Sequence, residues 1–336
     1  MAGQGFQLAQ HPWLSLIIVM LAEVVGQVLV RIVVIGLLKR PGDAPLTQFT
    51  VSLLGHAIVL FLLVPFVLKL PDGTRSFSTY LDAIRLSRVQ PFFRLLLLGL
   101  SCSAIIALCQ ACGTLVYRAL EGKAVTWPFV RGMLGLSGEL PPESRRWLVL
   151  LPSALEEVAF RGVILSVFML KYPERPAILF TALGFGATHL FNLANGRELV
   201  WVLGQAVWAA ILGLFYGVVV LKSNSLWPAM VVHYMGNLFI WPLTSYVQQS
   251  ASAKVQAIYG IVFSAGLVQP LHAAECVVVQ GEQLDRTVKG IEGSPAEYGP
   301  GETGETQGDP DGWLGGQNFR PTPPISNDDL TQAPSG

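Results

Sequence analysis

Residues 147–170 read Trp-Leu-Val-Leu-Leu-Pro-Ser-Ala-Leu-Glu-Glu-Val-Ala-Phe-Arg-Gly-Val-Ile-Leu-Ser-Val-Phe-Met-Leu. A helix needs about 20 apolar residues to cross the hydrocarbon core of a bilayer. This stretch has the length, yet it carries Glu156, Glu157 and Arg161. A charged side chain at mid-membrane costs about 2.5–3.5 kcal/mol on insertion scales, so such residues face a bundle interior or a wet cavity. The stretch therefore predicts a helix inside a bundle of membrane helices, with a polar centre that is a functional candidate by default.

Composition agrees. The chain has 336 residues, 52% hydrophobic and 13% charged, with a mean hydropathy of +0.52. Soluble domains carry about 25% charged residues. The 22 basic and 22 acidic residues balance, so there is no electrostatic footprint for nucleic acid. Cys102, Cys109 and Cys112 lie in one apolar run and Cys276 lies apart. Their spacing fits no zinc pattern, and they read as small apolar fillers. No Lys or Arg precedes Arg31, which makes a poor secretory signal. Glycine is at position 3 and not at position 2, so a myristoylation signal is not expected, and Ala-Pro-Ser-Gly at residues 333–336 does not read as a lipidation box.

Working outward from 147–170, apolar runs predict further spans at 13–38, 49–70, 92–117, 177–194, 199–221 and 227–247, with a weaker eighth at 255–268. The loop 71–91 reads as holding a short surface helix over residues 80–86, and 118–146 reads as a long loop. The tail holds Gly-Glu-Thr-Gly-Glu-Thr (301–306), many prolines and few large apolar residues. Such a composition predicts disorder. The reading is an all-α polytopic transmembrane bundle of about seven to eight spans. Residues 1–146 form N-terminal helices and loops, 147–270 a transmembrane core that holds the polar centre, and 271–336 a disordered polar tail.

Three clusters carry chemistry. Glu157 and Arg161 are spaced i, i+4 in the favourable order for a helical ion pair. Glu156 lies about 100° around the helix, with no cation of its own, and suits a general base. Phe185-x-x-x-His189 puts a ring and an imidazole on one face. His233-x-x-x-Asn237 pairs two N–H donors, the requirement of a developing oxyanion. Pro228 suits a helix's first turn and Trp227 an interfacial belt. That places His233 about 8 Å below the interface at 1.5 Å per residue. If every segment crosses fully, His189 and His233 fall towards opposite faces. The short segment 177–194, with Gly184 and Gly186 inside and Asn192, Asn195 and Gly196 after His189, is where the departure is expected. Gly213-x-x-x-Gly217 suggests close helix contact. Glu23, Gln27 and Arg31 form an i, i+4, i+8 ladder on one face, read as an interior stripe that glues helices. His56 reads as an interhelical donor.

Taken in order, Glu156-Glu157-x-x-x-Arg161, Phe185-x-x-x-His189, and Ser225-Leu226-Trp227-Pro228 leading into His233-x-x-x-Asn237 resemble the CPBP superfamily over about residues 145–240. That superfamily takes in CAAX proteases, including the type II CAAX prenyl endopeptidases, and bacteriocin-processing and abortive-infection-like enzymes. The resemblance implies an α-helical intramembrane endopeptidase. CAAX members remove the last three residues after a prenylated cysteine. By motif position, Glu156 and His189 would activate the hydrolytic water. His233 and Asn237 would stabilise the oxyanion, or His233 would help hold a metal, and Glu157 and Arg161 would support the site. The family is often labelled metalloprotease, and a metal-free glutamate mechanism is the alternative; two His and one Glu from three helices suit zinc or plain acid–base work. Implied partners are the lipid bilayer and prenylated or other membrane-associated protein substrates. The implied location is the endoplasmic reticulum for a eukaryotic CAAX enzyme and the plasma membrane for a bacterial one. Two other readings of the polar centre are a non-catalytic scaffold or immunity-type protein and a proton- or metal-coupled transporter, though no inverted repeat is visible.

Overall fold

The computed structural model describes residues 7–240 except 38, 43, 74–75, 134–149 and 195. Among the described residues the secondary structure is helical, with no strand. We number the helices α1 (Pro12–Leu37), α2 (Pro45–Leu68), α3 (Phe77–Ala83), α4 (Phe92–Leu120), α5 (Trp127–Met133), α6 (151–169), α7 (Glu174–Leu193), α8 (Leu199–Ser223) and α9 (227–240). By length and composition α1, α2, α4, α7 and α8 can each cross a membrane. The outer face of α1 exposes Ile17, Leu21, Val25 and Leu29, an apolar strip that suits lipid. The protein is an integral membrane protein. The predicted eighth span, the tail, Cys276 and the end of the 227–247 span lie outside the described residues.

Local chemistry sets the helix ends. Pro12, Pro45 and Pro228 sit in first turns, where a missing N–H costs nothing. Lys69 and Asn224 end α2 and α8 in the left-handed conformation, φ 54° and 51°. Pro65 lies inside α2, and the hydrogen bonding is widened to π geometry over Val59–Leu68. A proline removes one i→i−4 bond and crowds the preceding turn, and a widened turn accommodates both. α2 begins four residues before the predicted 49, at its proline, and α7 begins at Glu174 rather than 177.

α6 is the central element. Every residue from Val158 to Ile164 is buried, as a helix enclosed on all sides must be. α1, α7, α8 and α9 pack around it. α7 and α8 pair along their length. A Cβ on Gly213 would lie 3.0 Å from the Ala182 Cα. The Gly213/Gly217 spacing thus marks a close crossing, as read from the sequence.

The short surface helix expected in the segment after α2 is present, but it begins at Phe77 rather than at Tyr80. α3 starts at Phe77, capped by Ser76, whose Oγ accepts from the Thr79 N–H at 3.2 Å. Its inner face buries Tyr80 and Ile84 completely. The Tyr80 hydroxyl donates to the Leu60 carbonyl at 2.6 Å, and burial raises its pKa, which keeps that proton in place. Tyr80 and Ile84, four positions apart in a charged loop, are the two side chains that anchor it. Downstream, this segment ties α6 to α9. Arg85, in left-handed φ 61°, donates to Ser166 Oγ at 3.0 Å, and its carbonyl accepts from Leu226 N at 3.3 Å. Trp227 Nε1 donates to the Leu86 carbonyl at 3.0 Å and Ser225 Oγ to the Arg88 carbonyl at 2.6 Å. Arg88 also bonds Asn224 and pairs with Asp82 at 3.2 Å, which holds the Asp82 carboxyl below the usual carboxylate range. Trp227 is thus a hydrogen-bonded anchor that fixes the height of α9. The predicted loop 118–146 contains the short helix α5.

Candidate active site

Glu157 and Arg161 sit on the buried stretch of α6, their side chains 0% and 1% exposed. The Arg161 guanidinium donates to Glu157 Oε1 at 3.2 Å. The same oxygen accepts from His233 Nδ1 of α9 at 2.7 Å. Glu157 Oε2, Arg161 Nε and the second guanidinium nitrogen have no hydrogen-bond partner. Aromatic rings make up part of that deficit. The guanidinium carbon stands 4.3 Å from the Phe185 ring centre and 5.3 Å from that of Tyr216. A desolvated cation on an aromatic ring gains about 2 kcal/mol. Gly213 makes room for this cation, since a Cβ there would lie 2.8 Å from a guanidinium nitrogen.

His233 joins both glutamates. Its Nδ1 side faces Glu157, and its Nε2 lies 4.0 Å from Glu156 Oε2. The 100° between neighbouring helix positions thus delivers the two carboxylates to opposite nitrogens of one ring. Tyr216 of α8 stacks on that ring, centroids 5.7 Å apart and planes 24° apart. Glu156 differs from Glu157 in accessibility: its side chain is 35% exposed.

His189 ends the regular part of α7. From His189 to Leu193 the helix tightens to 3₁₀ geometry, though Glu174–Leu193 keeps a length that can cross a membrane. His189 Nδ1 lies 3.1 Å from the Phe185 carbonyl. A carbonyl can only accept, so Nδ1 carries the proton and Nε2 the lone pair. Phe185 places its edge against both imidazoles, at 5.2 Å from His189 and 5.9 Å from His233. The charges that bear on His189 include those of Glu156, His233 and Arg161. Asn237 Nδ2 donates to Ser153 Oγ at 2.9 Å, and Ser153 donates to the Leu150 carbonyl. The structure therefore bonds Arg161 and His233 to Glu157, sets Glu156 4.0 Å from His233, and brings His189 in through Phe185. Asn237 is tied to the start of α6 and has no direct bond to an imidazole among the described contacts.

Tyr216 and Ser153 were not anticipated. Tyr216 had a signal, a phenol inside the apolar run between Gly213 and Gly217; Ser153 had none. Among the described residues, no three His, Cys, Asp or Glu donors converge as a metal-ligand set. Glu157 Oε1 is engaged by Arg161 and His233, and no step below is routed through a metal.

Residues 146–239 match the family described as Rce1-like, type II CAAX prenyl endopeptidase Rce1-like. The match spans all three clusters and agrees with the resemblance to the CPBP superfamily. At family level it supports a CAAX-type intramembrane protease. No curated protein and no solved structure matches the chain.

Proposed function

We propose that the protein is an intramembrane endopeptidase that hydrolyses peptide bonds near the C-terminus of prenylated, CAAX-type or other membrane-associated proteins. The observation that carries this reading is the split between the two glutamates. Glu157 is sealed in an ion pair, while Glu156 is a third exposed and lies 4.0 Å from the same histidine. In this scheme water binds between Glu156 and His189 Nε2. Glu156 takes a proton as the oxygen attacks the scissile carbonyl carbon. One proton of the Asn237 amide and the Nε2–H of His233 meet the developing oxyanion, His233 carrying both ring protons between its two carboxylates. The proton held by Glu156 then passes to the leaving amine as the C–N bond breaks. Arg161 and Glu157 keep His233 in place. A prenyl chain holds such a substrate in the bilayer, at about 0.8 kcal/mol per CH₂ removed from water, and so keeps the neighbouring peptide bonds at the level of the helices.

The test is cleavage of a prenylated C-terminal peptide by the purified protein in detergent, alongside a panel of membrane-protein tails. Glu156→Ala and His189→Ala should each lose about 10²–10⁴-fold, the span of general acid–base contributions. Asn237→Ala should lose about 10²-fold or more. Equal cleavage by wild type and the first two variants refutes the assignment.

A further inference from the structure

A second buried titratable cluster lies outside the site. Glu23 of α1 and His56 of α2 form a pair, Oε2 to Nδ1 at 2.8 Å, with side chains 8% and 7% exposed. Gln27, one turn below Glu23, brings its Nε2 to 3.3 Å from His56 Nε2. Two of the three ladder residues thus converge on one imidazole, whereas Arg31 is exposed. The crossing that holds them is tight: a Cβ on Gly55 would lie 2.7 Å from Gln27 Cγ and 3.1 Å from its Cα. Both carboxylate oxygens of Glu23 and His56 Nδ1 are buried without a well-directed hydrogen bond, so the pair is a close charge contact. The helices carrying the cluster pack on α6 close to Glu156, α2 against Leu151–Ala154 and α1 against Val158–Ile164. The charged and titratable groups that bear on the pair are each other and Glu156; Tyr80, from α3, feels the charge of Glu23.

Gluing two helices needs only a neutral amide pair. An ionisable acid and imidazole in such a place can also bind and release a proton. With the ring proton on Nδ1, on the side of Glu23, His56 Nε2 accepts from the Gln27 amide. If the ring takes a second proton, Nε2 becomes a donor, and the same amide, turned over, accepts it through Oε1. Gln27 can thus serve both states of the ring without breaking the Glu23 contact.

We infer that Glu23, His56 and Gln27 form a proton-binding site within the bundle whose occupancy acts on Glu156, making them positioning residues for the water-activating carboxylate. This rests on the proposed role of Glu156. The bound proton comes from water and returns to it, so no further reactant is required.

Coupling between two sites is reciprocal, so it can be read from either end. The full chain, labelled with ¹⁵N at histidine and held in detergent, is titrated by NMR, with His56→Gln assigning the His56 ring signals. In Glu156→Gln the loss of a neighbouring anion should move the His56 titration to lower pH by about 0.3 unit or more. In parallel, Glu23→Gln and His56→Gln should move the midpoint of the kcat/KM profile against pH, which a merely structural contact would leave in place. A ring that does not titrate, a titration unmoved by Glu156→Gln, or a profile unmoved in the variants overturns the inference. If Glu23→Gln does not fold, His56→Gln supplies the profile. If the wild type cleaves nothing, the enzymatic reading has failed, and the ring titration alone decides whether the coupling exists.

Discussion

The buried ion pair on α6 gives the sharpest test. Replacing Arg161 by Met removes the cation and keeps much of its apolar stem. The pair at 3.2 Å is worth about 5 kcal/mol by Coulomb's law at an effective dielectric constant of 20. Contact with the Phe185 and Tyr216 rings adds about 2 kcal/mol. Against this stands the cost of burying the guanidinium, two of whose nitrogens are unpartnered. Removing one member of a buried pair costs about 3–5 kcal/mol, because Glu157 is left charged in an apolar interior with only His233 to meet it. Replacing both partners removes the uncompensated charge, so Glu157→Gln/Arg161→Met should recover a large part of the loss. Thermal unfolding in detergent, with roughly 2–4 °C per kcal/mol for a large domain, should show Arg161→Met about 10 °C below wild type and the double variant well above the single one. A single-variant loss under about 1 kcal/mol, or strict additivity of the two changes, refutes the claim that this pair holds α6 and α9 in register.

Four further outcomes follow from the geometry. Glu156→Gln should unfold within a degree or two of wild type while cleavage falls; Glu157→Gln should lower both, and the reverse order in a melt-and-cleavage comparison would contradict the division of roles. Gly213→Ala pushes a methyl to 2.8 Å from the Arg161 guanidinium and 3.0 Å from the Ala182 Cα, an overpacking that should cost about 1–3 kcal/mol and be visible as a lower melting temperature. Trp227→Phe deletes the 3.0 Å bond to the Leu86 carbonyl, worth about 1 kcal/mol; because this bond sets the height of α9, activity should fall by more than stability does. The lowered Asp82 pKa means that its pairing with Arg88 stabilises the fold above the ordinary carboxylate pKa and is lost as pH falls through the folded value. The small deficit of Asp82→Asn at pH 6 should therefore shrink below about pH 4, and a deficit that grows on acidification would reverse the sign.

The all-helical membrane architecture was legible because lipid leaves a helix no alternative that satisfies its own backbone. The pairing of Glu157 with Arg161 was legible because i, i+4 geometry is local. The reach of His233 to both glutamates was not, since it depends on how far α9 descends before meeting α6. That depth is set by bonds of Ser225, Leu226 and Trp227 to residues 85–88, and such long-range contacts leave no period in the sequence. The same contacts remove the apparent conflict between His189 and His233. α9 enters beside the end of α6 that bonds residues 83–85 and runs on until Asn237 reaches Ser153 at the other end, so His233 passes the level of Glu157. Tyr216 stayed hidden because a tyrosine in an apolar helix does not announce which neighbour its ring faces.

Two adjacent glutamates look redundant in a segment where each is costly, and the packing explains why one would not serve. A carboxylate that orients His233 must be dry, because its hold on the imidazole and guanidinium weakens as water enters and raises the local dielectric. A carboxylate that exchanges a proton with water must be wet. One side chain cannot be both. Neighbouring positions on a helix differ by 100°, enough to point one acid into the α6–α8–α9 interior and the other to an accessible edge, yet they are close enough for both to meet a single ring. Positions i and i+4 would put both on one face, equally buried or equally exposed. The Glu-Glu dipeptide is thus the shortest sequence that gives one histidine both a dry carboxylate and a wet one.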